Sequence, residues 1–420
     1  MSDFYETQLL RLAAICVVSL LAENLISKRK RSPESRESGK HAGSSTTTTL
    51  MRQYLMVYAI VMAADWLQGP YVYSLYREQY NFSERLVAVL FVTGFMSAGL
   101  AAPLVGVWAD QHLPQSDLSL ILGRATLVNG FVAAGAGIFS NQLVSYTGSF
   151  ASPFVASGAL LVLAYMAIRG TWAENYGTAE GSEKHSESQS ARLAQAWRIV
   201  KKDPLLIALG FTQTCFEGGM YLFVFLWVPS LQESAQSNEQ LPLGYIFSAY
   251  MVSMMLGSLI YTIIVSHLSP PTEKALPTPP STLPDAGDSS LTLHAKLSST
   301  VCAISALALA ASVSSQDEKI RFWAFCTFEA CVGMYYPVQG MLRGTLIANE
   351  HRATLSALFR VPLNVFVVVS LLTGVSSARY AVLSATSLML AVASVMTGLV
   401  VVKRADALQA SPAGRHPLRG

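Results

Sequence analysis

Long apolar blocks divide the sequence, and they constrain the fold more than any other feature. Eleven stretches of roughly 20 predominantly apolar residues follow one another, which is the length that a helix needs to cross the hydrocarbon layer of a bilayer. They run approximately over residues 7–26, 54–76, 86–108, 118–139, 149–168, 204–231, 241–265, 293–313, 320–345, 357–375 and 380–402. Only 13% of the 420 residues are charged, whereas roughly 25% is usual in soluble globular proteins. The sequence therefore predicts an all-α membrane protein with about 11 transmembrane helices.

The polar segments between the apolar blocks set the expected domain organisation. Short loops rich in Lys and Arg lie on the cytoplasmic side of a membrane, so the strongly basic segment after the first block fixes the orientation. The expected segments are an N-terminal signal-anchor helix (1–26), a basic cytoplasmic linker (27–52), an incomplete N-terminal half of four helices (53–168), a central cytoplasmic loop (169–203), a C-terminal half of six helices (204–402) and a cytoplasmic tail (403–420). A cleaved signal peptide is the alternative for the first segment.

Several classes of function find no support in the sequence. All five cysteines fall inside apolar blocks, without the paired spacing of a disulfide framework or a zinc site, so we expect them to be packing residues. The HExxH, GxSxG and P-loop motifs are missing. No basic patch with interleaved aromatic residues is present. We therefore expect no enzyme activity, no metal or other cofactor, and no nucleic-acid partner.

Three carboxylates interrupt the apolar blocks: Asp65, Glu217 and Glu329. An ionisable side chain near the bilayer centre costs roughly 2.5–3.5 kcal/mol on insertion scales, so it is expected to face a bundle interior or a wet cavity and to have a function. A carboxylic acid away from water can hold its proton at neutral pH, which would suit coupling to protons. The alternative is structural, a hydrogen bond to the acid from a tyrosine hydroxyl on another helix.

Polar side chains accompany each acid at helical spacing. Gln68 and Tyr73 follow Asp65 at i+3 and i+8, Tyr221 follows Glu217 at i+4, and Tyr336 follows Glu329 at i+7. In a regular helix these spacings place each tyrosine roughly on the face of its acid. The pairing of Asp65 with Tyr73 is the least regular, because Gly69-Pro70 breaks the helix between them.

The two glutamates lie in segments that echo one another. The sequence FEGGMY at 216–221 resembles FEACVGMY at 328–335. The first segment opens the second half of the chain and the other belongs to its fourth span. That relation is expected of inverted three-plus-three repeats in one six-helix half of a transporter, where the substrate site lies near the bilayer midplane.

A second echo joins the sequences GRATLVN and FRVPLN. Each contains an arginine, Arg124 or Arg360, and an asparagine about one turn later, Asn129 or Asn364. One interpretation is an anion-binding pair, since a guanidinium stays charged and offers a fork of donors that suits an oxyanion. The alternatives are arginines that reach toward water at the membrane surface, or a salt bridge to Asp110 at a cytoplasmic gate.

Several of these motifs together resemble one known family. AADWLQGPYVYSLY, FEGGMYLFVFLWVP, LPLGYIFSAYM, FEACVGMYYPVQGMLR and FRVPLNVFV are similar to sequences of the molybdate-anion transporter family of the major facilitator superfamily. The resemblance extends over nearly the whole chain from residue 54 to residue 403. It implies two helical bundles of the major facilitator type around a central pathway, a molybdate substrate, and a location in the plasma membrane or an internal membrane.

The chain departs from that family pattern in its first half. Family members continue after the segment that resembles GVWAD with a Gly-Arg-Lys loop and two further helices, the second with its own Phe-Glu-Ala motif. Here Asp110 runs directly into QHLPQSDLSLILGRATLVNG, and only four spans follow the anchor before the central loop. We therefore hypothesise that two helices of the N-terminal half are missing, through alternative splicing or an incomplete gene model, and that this form transports poorly or not at all.

Together these features predict uptake of an inorganic oxyanion by alternating access, with molybdate as the first candidate and sulfate as a near-isosteric competitor. The other partners expected are the lipid bilayer and protons, and we expect a monomer in the plasma membrane. One alternative is a non-transporting, shortened form that acts as a sensor or scaffold. Another is a major facilitator carrier for a different small solute.

Overall fold

The computed structural model describes residues 2–30, 45–110, 118–171, 197–198, 200–235, 240–268, 290–347, 349–374 and 379–410. Within these ranges the regular secondary structure is helical throughout. The long helices are α1 (Ser2–Lys30), α2 (Ser45–Gln68), α3 (Glu84–Asp110), α4 (Leu118–Thr147), α5 (Ser152–Thr171), α6 (Pro204–Ser234), α7 (Leu243–Leu268), α8 (Ser290–Ser314), α9 (Glu318–Leu346), α10 (Asn349–Gly374) and α11 (Arg379–Met396). Shorter helical segments are Val72–Ser74, Leu75–Gln79, Thr397–Val402 and Lys403–Ala410.

These eleven helices follow the eleven predicted apolar blocks in order, so the all-α membrane fold is confirmed in the part of the chain that the structure describes. Six of them are long and apolar enough to cross a membrane by length and composition: Asp3–Glu23, Ser152–Gly170, Pro204–Ser234, Leu243–Leu268, Leu291–Ser314 and Arg379–Asp406. Most boundaries lie within a few residues of those predicted, with larger differences where polar residues continue a helix.

One such extension is in α4, which was expected to end near residue 139 and ends at Thr147. Polar residues do not stop a helix when their side chains bond to its own backbone, as Ser140 does by donating to the Gly137 carbonyl at 2.9 Å. The helix ends just before Gly148, which has a left-handed backbone with φ of +67° and donates its N–H to the Val144 carbonyl. Glycine adopts this conformation without steric penalty, which makes it a common helix terminator.

The predicted break after Asp65 is confirmed. Helix α2 ends at Gln68, and the chain turns through residues 69–71 before the short helix Val72–Ser74 and the wider π-type turn Leu75–Gln79. Pro70 has no N–H to continue the helical hydrogen bonds. The N–H of Tyr71 donates instead to the Gln68 carbonyl at 3.2 Å.

The chain contacts divide into two compact units. The first comprises Met1–Val87, Leu100–Ser182 and Ala235–Leu256, and the second comprises Ala88–Gly99, Glu183–Ser234 and Gly257–Gly420. The segment boundaries expected from the sequence stay a prediction. Residues 31–44, 172–196 and 411–420, which include most of the predicted central loop and half of the predicted tail, lie outside the described residues.

In the first unit α2 packs against both α4 and α5. Glycine also allows a backbone-to-backbone contact between α4 and the first part of α7, because a Cβ at Gly244 would overlap the carbonyl oxygen of Gly137.

In the second unit α8 packs against α9 and α11, and α6 packs against α10, α11 and α9. Buried aromatic rings fill the contact between α6 and α9. Phe216 stacks on Tyr335 with ring centroids 3.9 Å apart, and Phe223 contacts Phe325 and Phe328 at 5.1 Å. This aromatic core fixes α6 against α9 and therefore positions the side chains described next.

Candidate functional site

Glu217 lies at the middle of α6, where small neighbours let other helices approach. A Cβ at Gly218 would lie 2.7 Å from Cδ1 of Phe366 on α10, and one at Gly219 would lie 2.8 Å from Cγ2 of Thr386 on α11. The two glycines of the FEGG sequence therefore bring two further helices against the turn that carries the acid. This packing leaves the Glu217 side chain only 11% exposed.

The carboxylate of Glu217 is held by three donors from two helices. Arg343 Nη2 on α9 donates to Glu217 Oε1 at 2.9 Å, and the Tyr335 hydroxyl donates to the same oxygen at 3.3 Å. Gln213 Nε2, one helical turn before the acid on α6, donates to Oε2 at 3.3 Å. Burying a carboxylate is costly unless it is paired and hydrogen-bonded, and both conditions are met here.

Sequence reasoning missed these three partners of Glu217, although a signal was present for each. Gln213 is four residues before the acid and therefore on its face of the helix. Arg343 follows Tyr336 by seven residues, about two turns, so it shares the face of α9 that the sequence had already singled out. Tyr335 ends the FEACVGMY echo, but the helical spacing from Glu329 favoured its neighbour Tyr336.

The guanidinium of Arg343 is only partly used. Its Nη2 donates to Glu217, while its Nε is buried without an acceptor among the described residues. The Arg343 side chain is 21% exposed. A guanidinium has five N–H donors in a planar fork, and a single contact to one carboxylate oxygen leaves most of them open.

Two tyrosines connect this ion pair to the other residues predicted on α6, α9 and α10. Tyr221 is half-buried and interacts electrostatically with Glu217 and with Arg360 on α10. Tyr336 interacts electrostatically with Glu217, Tyr221, Glu329 and Arg343. The second unit therefore brings together five of the predicted site residues: Glu217, Tyr221, Glu329, Tyr336 and Arg360.

The tyrosines differ from the predicted arrangement in one respect. The Tyr336 ring is 48% exposed, and its hydroxyl donates to the sulfur of Met220 at 3.3 Å rather than to an acid. The buried Tyr335 provides the hydroxyl that reaches Glu217. This bond between α9 and α6 is the kind of tyrosine-to-acid contact that the structural alternative for the carboxylates describes.

Glu329 occupies a different environment from Glu217. Its side chain is buried on α9, and within the described part of the chain it makes no hydrogen bond or ion pair. The adjacent Ala330 contacts α7 closely, since a Cβ at Gly257 would overlap the Ala330 carbonyl. Asn364 is half-buried on α10, one turn after the exposed Arg360.

Two predicted residues of the first unit, Gln68 and Asn129, form hydrogen bonds with neutral side chains. Gln68 Nε2 donates to Ser157 Oγ at 2.8 Å, and Asn129 Oδ1 accepts from Trp66 Nε1 at 2.8 Å. Tyr73 is buried just after the helix break, whereas the Asp65 side chain is exposed.

The side chains of two further predicted residues lie outside the described part of the structure. Arg124 lies within α4 and Asp110 ends α3, but their side chains lie outside the described atoms. Their roles as anion ligand and gate residue stay predictions.

The cysteines agree with their expected packing role. Cys16, Cys215, Cys302, Cys326 and Cys331 are all free and buried. In the described ranges no group of three or more His, Cys, Asp or Glu side chains is placed to hold a metal ion.

Comparison with known proteins identifies the family. The MFS_5 family, described as sugar transporters with 12 transmembrane segments, matches residues 32–117 and 111–273, which together cover more than half of the chain. The chain belongs to this family. The MFS_5 match begins at residue 32, after the end of α1 at Lys30, so this N-terminal helix lies outside the matched region. The chain is thus an integral, multi-pass membrane protein of a transporter family.

Relatives of this MFS_5 member carry a more specific name. The molybdate-anion transporter of Takifugu rubripes is 27% identical over 447 aligned positions, which include 86% of each chain. That of Xenopus tropicalis is 26% identical over 401 positions, covering 80% of this chain and 81% of its own. These similarities confirm the resemblance that the sequence motifs indicated.

Solved structures confirm the fold of the MFS_5 member. The nucleoside transporter NupG aligns with a TM-score of 0.54 and 12% identity, over 84% of this chain and 98% of its own. A bacterial homologue of the lysosomal transporter Spinster, in an inward-facing and occupied conformation, aligns with a TM-score of 0.51 and 10% identity, over 88% and 100% of the two chains. At such identities the likeness shows the major facilitator fold alone.

Proposed function

We propose that this chain transports an inorganic oxyanion across a membrane by alternating access, with molybdate as its substrate. The observation that carries the proposal is the partly buried pair of Arg343 and Glu217 in the second unit, whose atoms Nη2 and Oε1 lie 2.9 Å apart. Tyr221 and Tyr336 connect this pair electrostatically to Arg360 and Glu329. The names of the relatives in Takifugu and Xenopus support the choice of molybdate.

The chemistry of these groups suits a tetrahedral dianion. Guanidinium groups bind oxyanions through charge-assisted hydrogen bonds, which are roughly twice as strong as neutral ones. Arg343 and Arg360 supply two positive charges, and the tyrosine hydroxyls supply neutral donors. A free carboxylate beside the substrate would repel it, so we propose that the unpaired Glu329 holds a proton when the anion is bound. This would couple transport to protons.

The residues of the first half belong to the same proposal. Asp65, Gln68, Tyr73, Arg124 and Asn129 are proposed to contribute to the pathway. We propose Asp110 as a cytoplasmic gate residue, and Asn364 as a further donor beside Arg360. The plasma membrane is the proposed location, and the proposed working form is a monomer surrounded by lipid.

Uptake of radiolabelled molybdate by cells that express the chain tests the proposal. Saturable uptake above that of control cells, reduced by Arg360→Ala, is the expected result. An excess of unlabelled sulfate shows whether the site distinguishes the two dianions. Uptake of a neutral solute such as a sugar, with no uptake of either dianion, would favour a major facilitator carrier of different specificity.

A second candidate function follows from the length of the first half. The family has 12 transmembrane segments, whereas ten long helices follow α1 in the described residues. The two family matches meet at residues 111–117, where the sequence suggests a missing helix pair. The Takifugu alignment needs 447 positions although this chain has only 420 residues, so it spans segments that have no counterpart here.

These observations support a shortened form that binds its anion but transports it poorly, as a sensor or scaffold would. Sequencing the transcript decides whether the join after Asp110 exists in the message. Saturable molybdate binding by the purified chain without uptake by cells would favour the shortened, non-transporting form. Uptake as fast as that of a chain with the two helices restored would reject it.

A further inference from the structure

We propose that the guanidinium of Arg343 binds the transported oxyanion. When no substrate is bound, the carboxylate of Glu217 pairs with this guanidinium in place of the substrate. The inference rests on the proposed function and names a cation that the sequence motifs did not indicate. It assigns Arg343 a direct role in binding, and it makes Glu217 a competitor of the substrate rather than one of its ligands.

The geometry of the ion pair carries the proposal. Arginine and a carboxylate frequently form two parallel hydrogen bonds. Here only one N–H···O contact is made, from Nη2 to Oε1 at 2.9 Å, and the buried Nε has no acceptor among the described atoms. A buried, unpaired donor is costly. A tetrahedral anion in front of the fork could accept from both Nε and Nη2 and remove that cost.

Glu217 has its own support, which allows it to leave the guanidinium. Gln213 donates to one carboxylate oxygen and Tyr335 to the other, so two hydrogen bonds remain if Arg343 turns to a substrate. Gln213 is almost fully buried, and Tyr335 is fixed by its stacking on Phe216. The acid is therefore held in place while the arginine, with its partly exposed side chain, is the group able to exchange partners.

Other charged and titratable groups face the pair from the elements around it. Tyr336 on α9 interacts with both members of the pair and with Glu329. Tyr221 on α6 interacts with Glu217 and with Arg360 on α10. Tyr221 therefore connects the pair to the guanidinium of Arg360.

A different ion pair in the same unit provides a comparison. Arg379 Nη1 lies 3.7 Å from Glu233 Oε2, and these side chains are more exposed, at 26% and 42%. Arg379 also donates to the carbonyl of Pro229 at 3.3 Å. Glu233 lies in the last turn of α6, about four helical turns after Glu217. Glu233→Gln is therefore a matched control for neutralising an acid in an ion pair.

Equilibrium binding of radiolabelled molybdate to the purified full chain tests the inference, with three variants beside the wild type. Arg343→Gln is expected to weaken binding by about 10-fold or more, because a charge-assisted hydrogen bond is lost. Glu217→Gln is expected to tighten binding several-fold, since the internal competitor loses its charge. Glu233→Gln is expected to bind as the wild type does. The thermal midpoint of each variant is measured alongside.

A pair that only ties α6 to α9 gives a different pattern. In that case Glu217→Gln and Arg343→Gln would lower the thermal midpoint alike and change affinity in the same direction, which overturns the inference. If Arg343→Gln does not fold, Arg343→Lys keeps the charge but removes the fork. Unchanged molybdate affinity in the folded Lys variant also overturns it. A wild-type chain that binds and transports neither molybdate nor sulfate overturns the proposed function, and the inference with it.

Discussion

Three hydrogen bonds of the first unit join neutral side chains, whereas the second unit contains a charged pair with unused donors. In the first unit Trp66 donates to Asn129, Gln68 donates to Ser157, and Tyr71 donates to Asn141 at 2.9 Å. In the second unit Glu217 and Arg343 share a single short contact beside an unpaired acid, Glu329. The comparison applies to the described side chains, which do not include that of Arg124.

The difference indicates where the binding energy lies. Neutral hydrogen bonds between helices contribute modestly and mainly fix the packing of α2 against α4 and α5. A charge within a membrane helix is costly, and it is expected to be retained for function. We therefore expect the second unit to supply the affinity for substrate, while the neutral bonds of the first unit position a broken helix.

The largest effect is expected for Arg343→Gln. Molybdate uptake should fall by about 10-fold or more, because the site loses a charged donor to the dianion. Trp66→Phe removes a neutral hydrogen bond of the first unit and should leave more than a third of the uptake. Initial uptake rates, normalised to the protein at the cell surface, provide the measurement. Equal losses in the two variants would contradict the assignment of affinity to the second unit.

Glu329→Gln should change the response of uptake to a proton gradient. The wild type is expected to transport several-fold faster with an inward-directed proton gradient, because the unpaired acid takes up the proton that accompanies the anion. The amide cannot exchange a proton, so the variant should transport at one rate with or without the gradient. Asp65→Asn tests in the same way whether the acid of the first unit takes part in proton coupling. A gradient response that survives in Glu329→Gln but disappears in Asp65→Asn would move proton coupling to the first unit.

Gly218→Ala tests the packing that buries Glu217. The new methyl group would lie 2.7 Å from the Phe366 ring, and overpacking of this kind costs about 1–3 kcal/mol. Gly340→Ala is a matched control on α9, since nothing lies within 4 Å of a Cβ there. The control should be neutral or slightly stabilising because alanine favours a helix. Thermal unfolding in detergent gives both values, and equal midpoints would show that α10 can move away from Gly218.

The smallest effect is expected for Trp66→Phe on stability. The indole N–H bond to Asn129 is neutral, and such a bond contributes about 0.5–1.5 kcal/mol. Phenylalanine keeps most of the ring contact with Phe247, whose centroid lies 5.8 Å away. The thermal midpoint should therefore fall by only a few degrees. A fall in the thermal midpoint as large as that of Gly218→Ala would show that the neutral contacts of the first unit stabilise the protein as much as the packing around Glu217 does.

Much of the fold could be predicted because it depends on local pattern. Blocks of apolar residues give the helices and their order, and Gly69-Pro70 gives the break after Gln68. The end of α4 at Thr147 was harder to predict. Ser140 and its neighbours are polar and indicate a loop when their hydrogen bonds to the helix backbone are unknown. The acids of the site could also be recognised, because a charge in an apolar block is conspicuous wherever its partner lies.

The partners of those acids could not be predicted in the same way. Helical spacing relates residues on one helix, and it selected Tyr336 for Glu329 and Tyr221 for Glu217. The bonds to Glu217 from Tyr335 and Arg343 cross from α9 to α6, over 118 and 126 residues of sequence. Which of Tyr335 and Tyr336 reaches Glu217 depends on how α9 is rotated about its axis. The stacking of Tyr335 on Phe216 fixes that rotation.

The sequence by itself determined that this is a membrane protein, where its helices lie, and which acids interrupt the apolar helices. It could do so because hydrophobicity and backbone restrictions act over a few turns of chain. Tertiary structure alone decided which cation meets which acid. Ion pairing depends on distances of a few ångströms between atoms on different helices, and only packing sets those distances. For Glu217 that choice was Arg343, and it left the guanidinium with donors that a dianion could use.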